Sequence, residues 1–279
     1  MKKYLMFLAG LFVAVNANAE GVILSDTYAE EESIEAPANN SYNQTKSDNY
    51  ERRQITPAVK NILSNDTSDP LFLVGDNQFL SDTSIYSADE KIRFGQFIGY
   101  GVNPNFAVHL NMLYQIDFSG EDQNGFGATE FGGTYRMNHG TGEWRIKSDV
   151  LFGLKLWGSS RVRSPEYADS SYYAGLRFGR QYTGITLAGT IKSTWVFDDG
   201  RGLSYIDFIP EAYFRFRYDW RAGIGFDLRK STNTRLLDNQ EWLNFKLLRQ
   251  YGNTQYVGKI DYELQEHKLQ FGFNIKILF

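Results

Sequence analysis

KLQFGFNIKILF, residues 268–279, alternates almost to its last residue: Leu269, Phe271, Phe273, Ile275, Ile277 and Phe279 are apolar, and Lys268, Gln270, Gly272, Asn274 and Lys276 between them are polar or small. Successive side chains of a strand point to opposite faces, so this stretch is a strand with one fully apolar face. A strand of a soluble sandwich alternates too. It rarely holds the pattern over six apolar positions and then stops on a terminal Phe.

The same pattern recurs toward the N-terminus. Tyr256, Ile260, Tyr262 and Leu264 oppose Lys259, Asp261 and Glu263. Trp220, Ala222, Ile224, Phe226 and Leu228 oppose Arg221, Asp227 and Arg229, and Ile206, Phe208, Phe214, Phe216 and Tyr218 oppose Asp207, Glu211, Arg215 and Arg217. The alternation predicts strands over 77–87, 91–102, 105–118, 126–137, 143–157, 171–182, 185–197, 204–218, 220–231, 240–250, 254–264 and 268–279. Each is close to the ~10 residues that a tilted membrane strand needs. The fold class expected is all-β, a transmembrane antiparallel up-and-down β-barrel of twelve strands. Ten is the alternative count, because Phe79, Leu80, Ile85 and Tyr86 of the first strand divide cleanly onto neither face. An apolar face all the way round, with no second sheet to cover it, is suited to lipid.

A final strand of alternating apolar residues closing on Phe resembles the assembly signal of bacterial outer-membrane barrels. That resemblance implies that Phe273, Ile275, Ile277 and Phe279 are read by the barrel-assembly machinery. It also places the protein in the cell outer membrane of a Gram-negative envelope, in contact with lipid and lipopolysaccharide. With Phe279 on the periplasmic side, the turns at 103–105, 138–142, 183–184, 219 and 252–253 are periplasmic and short. The connections at 119–125, 158–170, 198–202 and 231–239 are external and mostly longer, the asymmetry such barrels show. Tyr100, Trp144, Tyr182, Tyr218 and Trp220 then fall near one membrane interface, and Tyr114, Phe118, Trp195 and Phe197 near the other, as two aromatic girdles.

The N-terminal quarter reads differently. Lys2 and Lys3 precede an apolar run from Tyr4 to Val15, and Asn16-Ala17-Asn18-Ala19 supplies small residues for cleavage, so residues 1–19 are expected to be a signal peptide. Residues 20–75 form an acidic, mostly disordered periplasmic segment in this reading, and 76–279 the barrel. Within 20–69 ten acids stand against four bases, too polar a composition to offset the entropy of ordering. Thr56 and Pro57, with Ile55, Val59, Ile62 and Leu63 on one stripe, suggest one short helical piece. It either enters the barrel as a plug or remains a transient turn in a linker. There is no Cys, which excludes a disulfide framework and thiolate chemistry, and the net charge of -4 argues against nucleic acid as a partner.

Function has to be sought on the polar faces. Fifteen bases alternate inward: Arg93, Arg136, Arg145, Lys147, Lys155, Arg177, Lys192, Arg215, Arg217, Arg221, Arg229, Lys246, Lys259, Lys268 and Lys276. Eight acids accompany them: Asp117, Glu130, Asp149, Asp207, Glu211, Asp227, Asp261 and Glu263. The excess points to a passive channel for small solutes with a preference for anions, since like-signed walls select ions. Arg215, Arg217 and Arg221 around one hairpin are the expected basic ladder. The opposing expectation is a non-conducting barrel, sealed by ion pairs to Asp207, Glu211 and Asp227, that presents outer loops for adhesion. A twelve-stranded wall with a basic lumen is similar to the small bacterial porins for acidic sugars, although the acidic N-terminal stretch departs from them.

Enzyme readings fare worse. The histidines are His109 inward, His139 in an inner turn and His267 in an outer turn, and none stands with the Ser and Asn of an outer-membrane phospholipase. Asp198-Asp199 is an acidic pair without a neighbouring His, as an aspartyl–histidine protease would need. Asp198-Asp199 and Glu121-Asp122 are more often solvated loop charges or weak divalent sites. Three scattered His and no Cys compose no metal cluster, so neither cofactor nor metal is expected, and the chain is expected to act as a monomer.

Overall fold

The computed structural model describes residues 67, 69–88, 90–120, 123–140, 145–159, 161–162, 168–197, 202–217, 219–235 and 237–279. The expected signal peptide, the acidic stretch through residue 66 with its short helical piece, Trp144, Tyr218, Glu121-Asp122 and Asp198-Asp199 lie outside the described residues.

Twelve strands make the wall: β1 (Phe79–Ala88), β2 (Lys91–Asn103), β3 (Phe106–Asp117), β4 (Thr129–His139), β5 (Ile146–Leu156), β6 (Ser171–Gln181), β7 (Ile185–Val196), β8 (Ser204–Arg215), β9 (Trp220–Ser231), β10 (Gln240–Tyr251), β11 (Thr254–Glu263) and β12 (Leu269–Leu278). Each pairs antiparallel with its neighbours in sequence, and β12 pairs with β1 from Leu80↔Leu278 to Ala88↔Gln270. The sheet therefore closes on itself and leaves no unpaired edge. A two-residue bridge, Gly125–Phe126, extends the β3 ladder ahead of β4. The alternation located these strands to within a few residues. The largest differences are at β4, β5 and β8. Arg145 adopts a left-handed φ of 49°, which delays the start of β5, and β8 ends at Arg215.

The wall is inverted relative to a soluble protein. Ile98, Phe131, Leu176, Ile191, Phe226, Phe245 and Phe271 face outward with 40–55% of their surface exposed. Asp149, Asp207, Arg221, Asp261 and Gln255 face inward and are buried. Apolar outside and polar inside is the condition for a barrel whose solvent is lipid. Aromatic contacts gather near both ends. Phe79 packs on Tyr100 at 4.6 Å and Phe216 on Trp220 at 6.3 Å at the short-turn end, while Tyr172 stacks on Trp195 at 5.0 Å and Tyr114 meets Phe126 at 4.9 Å at the loop end. Arg180 lies over Tyr182 at 4.8 Å and Arg249 over Trp220 at 5.4 Å, so two outward guanidiniums are drawn toward the short-turn rim by aromatic faces.

The first strand resists a clean reading for a physical reason. Its outward residues include Ser81 and Thr83, whose hydroxyls are satisfied by the outward Gln96 of β2 at 3.0 and 2.8 Å. Its inward residues include Leu80, which packs with Val74, Ala107 and Leu278 inside the barrel. The polarity of β1 is thus partly exchanged between faces.

The inside holds more chain than the wall. Residues 67 and 69–75, expected to belong to the acidic segment outside the barrel, lie within its short-turn mouth. Leu71 is fully buried, and Val74 is 6% exposed against the inner face of the wall. Gly101 of β2 lets the segment pass, because a Cβ there would stand 1.7 Å from the carbonyl oxygen of Gly75. Asn77, with φ of 56°, then turns the chain into β1 and donates its backbone N–H to Gly101 O at 2.8 Å.

Candidate functional site

The inner wall is a set of ion-pair rows laid across neighbouring strands. In the first, Asp149 of β5 stands directly between Arg136 of β4 and Arg177 of β6 in the ladder register. Arg136 donates to both Asp149 oxygens at 2.8 and 3.2 Å, and Arg177 donates to Oδ2 at 2.9 Å through Nε and at 2.6 Å through Nη2. The guanidiniums reach further. Arg136 Nη2 donates to Leu71 O, and Arg177 donates to Pro70 O at 3.4 Å and Phe72 O at 3.1 Å. Lys147 holds Asp69 of the same segment at 3.1 Å, and Thr67 donates to Gln250 at 2.9 Å.

A second row crosses β7, β8 and β9. Asp207 lies opposite both Lys192 and Arg229, at 3.6 and 2.6 Å. Arg229 also covers the ring of Tyr205 at 4.6 Å. Elsewhere Lys246 binds Glu211 and lies 3.2 Å from the Tyr213 hydroxyl. Lys259 pairs with Asp261 at 2.7 Å and Lys276 with Asp82 at 3.8 Å.

A third cluster was not foreseen. Glu130 accepts from Tyr173 Oη at 2.8 Å, meets His109 Nε2 at 3.1 Å, and has Lys155 at 3.9 Å. Glycines make the meeting possible. A Cβ on Gly132 would stand 2.4 Å from the His109 ring, and one on Gly153 would stand 2.5 Å from the Tyr173 ring. Between these rows and the entering segment lies a cavity of about 440 Å³. Phe97, His109, Tyr86, Asn274, Lys276, Arg177 and Glu211 line it from the wall, and Phe72 and Leu73 from the segment.

The expected site residues separate into groups. Arg136, Lys147, Arg177, Lys192, Arg229 and Lys246 stand in the rows just described, with Asp207 and Glu211 as carboxylate partners. Arg221 is buried and pairs in register with Arg215 at the short-turn end. Arg217 is exposed beyond the end of β8, and Arg145 is exposed before β5, so neither stands on the inner wall. Lys268 likewise lies exposed in the β11–β12 turn. Arg215, Arg217 and Arg221 thus form no continuous ladder, and Asp207 and Glu211 are held by Arg229, Lys192 and Lys246. Asp227 is inward on β9, opposite Trp242, and its Oδ1 has no hydrogen-bond partner among the described residues. Phe273, Ile275 and Ile277 lie on the outer face of β12, and Phe279 exchanges backbone hydrogen bonds with Phe79 at 2.8 and 3.1 Å across the closing seam. Asp69 and Asp82 add two acids to the lumen, so the basic excess read from the sequence shrinks.

Two signals could have revealed the entering segment. Leu71-Phe72-Leu73-Val74 is an apolar run without alternation, which must be buried on all sides. Asp69-Pro70 ahead of it favours a turn, and Asp69 Oδ1 indeed accepts from Leu71 N at 3.0 Å.

No known family profile matches the chain, and no curated protein matches it. Solved structures do. The KdgM porin in complex with disordered oligogalacturonate superposes with a TM-score of 0.53 at 13% identity, over 71% of this chain and 98% of the porin. The NanC porin gives 0.54 at 7% identity, over 71% and 98%. An outer membrane channel from Pseudomonas putida F1 gives 0.53 at 9% identity, over 75% and 97%. Likeness at such identities is one of fold, and the fold of this chain is the closed antiparallel twelve-stranded β-barrel of these outer-membrane porins.

Proposed function

We propose that the protein is a passive outer-membrane channel for small solutes that favours anions, acidic sugars being the class that suits it best. One observation carries the preference. In three lumenal pairs the base is the more exposed partner and the acid the more deeply buried one. The Lys192 side chain is 28% exposed against 2% for Asp207, and Lys259 is 24% exposed against 7% for Asp261. Lys276 is 28% exposed against 17% for Asp82. At these three pairs a solute meets the ammonium group more readily than its carboxylate partner, and the low dielectric of the wall strengthens that bias. Aromatic faces beside these groups, Phe97 and Tyr86 among them, give a sugar ring somewhere to rest. The oligogalacturonate in the KdgM complex is an anionic sugar chain of this class. In this reading the outer face of β12 with Phe279 serves assembly into the membrane.

The test is swelling of liposomes that carry the refolded barrel, with galactose and galacturonate as size-matched solutes. Galacturonate enters several-fold faster, and Lys192→Gln combined with Lys276→Gln narrows the difference. Equal rates would refute the anion preference. No entry of either solute into liposomes holding folded protein would refute the channel. A second reading, a barrel without a through-path, draws on the presence of residues 69–75 in the mouth, and that last outcome would favour it.

A further inference from the structure

The contacts of residues 67 and 69–76 are those of an occupant with the wall. Arg136 and Arg177 already share one carboxylate, yet their remaining donors are turned to main-chain carbonyls of residues 70–72. Lys147, on the strand between them, is held by Asp69 of the same segment. With the segment withdrawn, three cations would stand against the single charge of Asp149. A guanidinium bonded to an anionic oxygen gains direct charge–charge attraction that a neutral carbonyl does not supply. An anion in the mouth is therefore a better partner for these side chains than the chain that now occupies them.

We propose that Arg136, Lys147 and Arg177 form an anion site for small polycarboxylates at the short-turn mouth, that residues 67 and 69–76 mask it as a built-in partial plug, and that such anions widen the path by displacing the segment. Apolar contacts seat the plug, through Leu71 against Gly179 and Val74 against Leu80 and Leu278. Its hold is limited, because the segment adds no strand to the wall and leaves through the mouth without breaking the ladder. The widening step rests on the channel reading. Occupancy of the site does not.

The chain has no Cys, so Leu71→Cys carries a single reporter thiol. Its rate of reaction with a charged maleimide is measured on the full folded barrel in chloride and in citrate at equal ionic strength. Leu71→Cys reacts slowly in chloride, and citrate accelerates it about tenfold, the size of a modest population shift. Adding Gly101→Val, whose side chain would strike the carbonyl of Gly75, gives the same acceleration without citrate. Should that variant fail to fold, Asp69→Asn serves in its place by removing the ion pair to Lys147. A reaction in chloride as fast as that of Tyr251→Cys, an exposed position, would overturn the plug. Citrate acting no better than chloride would overturn the anion site. Currents through a barrel whose labelling ignores citrate would refute this inference and leave the channel standing. Citrate-accelerated labelling in a barrel that never conducts would do the reverse.

Discussion

Replacing Asp149 by Ala is expected to lower the stability of the folded barrel by about 3–5 kcal/mol, the cost of leaving buried charges without their partner. Asp149 is fully buried and receives hydrogen bonds from two guanidiniums on the strands to either side. Arg136 is itself 8% exposed, so water does not readily replace the carboxylate. The row also joins three strands and the entering segment, so the loss is felt at several places at once. Urea titration of the barrel refolded in detergent measures it as a lower midpoint. Asp149→Asn retains the shape and loses the charge, and it should fall between the wild type and Asp149→Ala. Unchanged midpoints for both variants would mean that the arginines are well hydrated and that the mouth is wetter than its packing implies.

Leu176→Arg is the second large effect. Leu176 lies at the middle of β6, faces outward and is 48% exposed, so in the membrane it meets acyl chains. An arginine at the bilayer midplane of such a barrel costs about 2–4 kcal/mol, falling to about 0–1 near the interfaces. Phe197→Arg, just beyond β7 at the loop-end rim and also outward and exposed, should therefore be close to neutral. The pair is compared by folding equilibrium into lipid vesicles. Equal small costs at both positions would mean that the apolar face meets something other than lipid.

The alternation of residues 268–279 and its repeats made the wall legible, because a period of two leaves only the choice of which face meets lipid. Parity also identified the inward charges. It could not say which of them meet. Asp149 pairs with Arg136 and Arg177, and Asp207 with Lys192 and Arg229, because the register of each ladder sets them side by side. Register depends on turn lengths and on irregularities such as the shifts at Gly101/Asn103 and Arg136/Asn138. Parity fails where a strand has already ended, as at Arg217, or has not yet begun, as at Arg145. The segment inside the mouth was hidden for another reason. Its apolar run follows directly on an acidic stretch, and composition averaged over that stretch outweighs four residues. The Glu130 cluster depends on the space left by Gly132 and Gly153, which no spacing rule reveals.

Single-channel recording across a planar bilayer with a salt gradient tests the central claim most directly. It uses the folded chain without residues 1–19, as wild type and as Gly101→Val. Discrete conductance steps are predicted, with a reversal potential displaced toward that of chloride, and with longer or larger openings in Gly101→Val. Folded barrels that stay silent in both forms, or that conduct with a cation-biased reversal potential, would contradict the account.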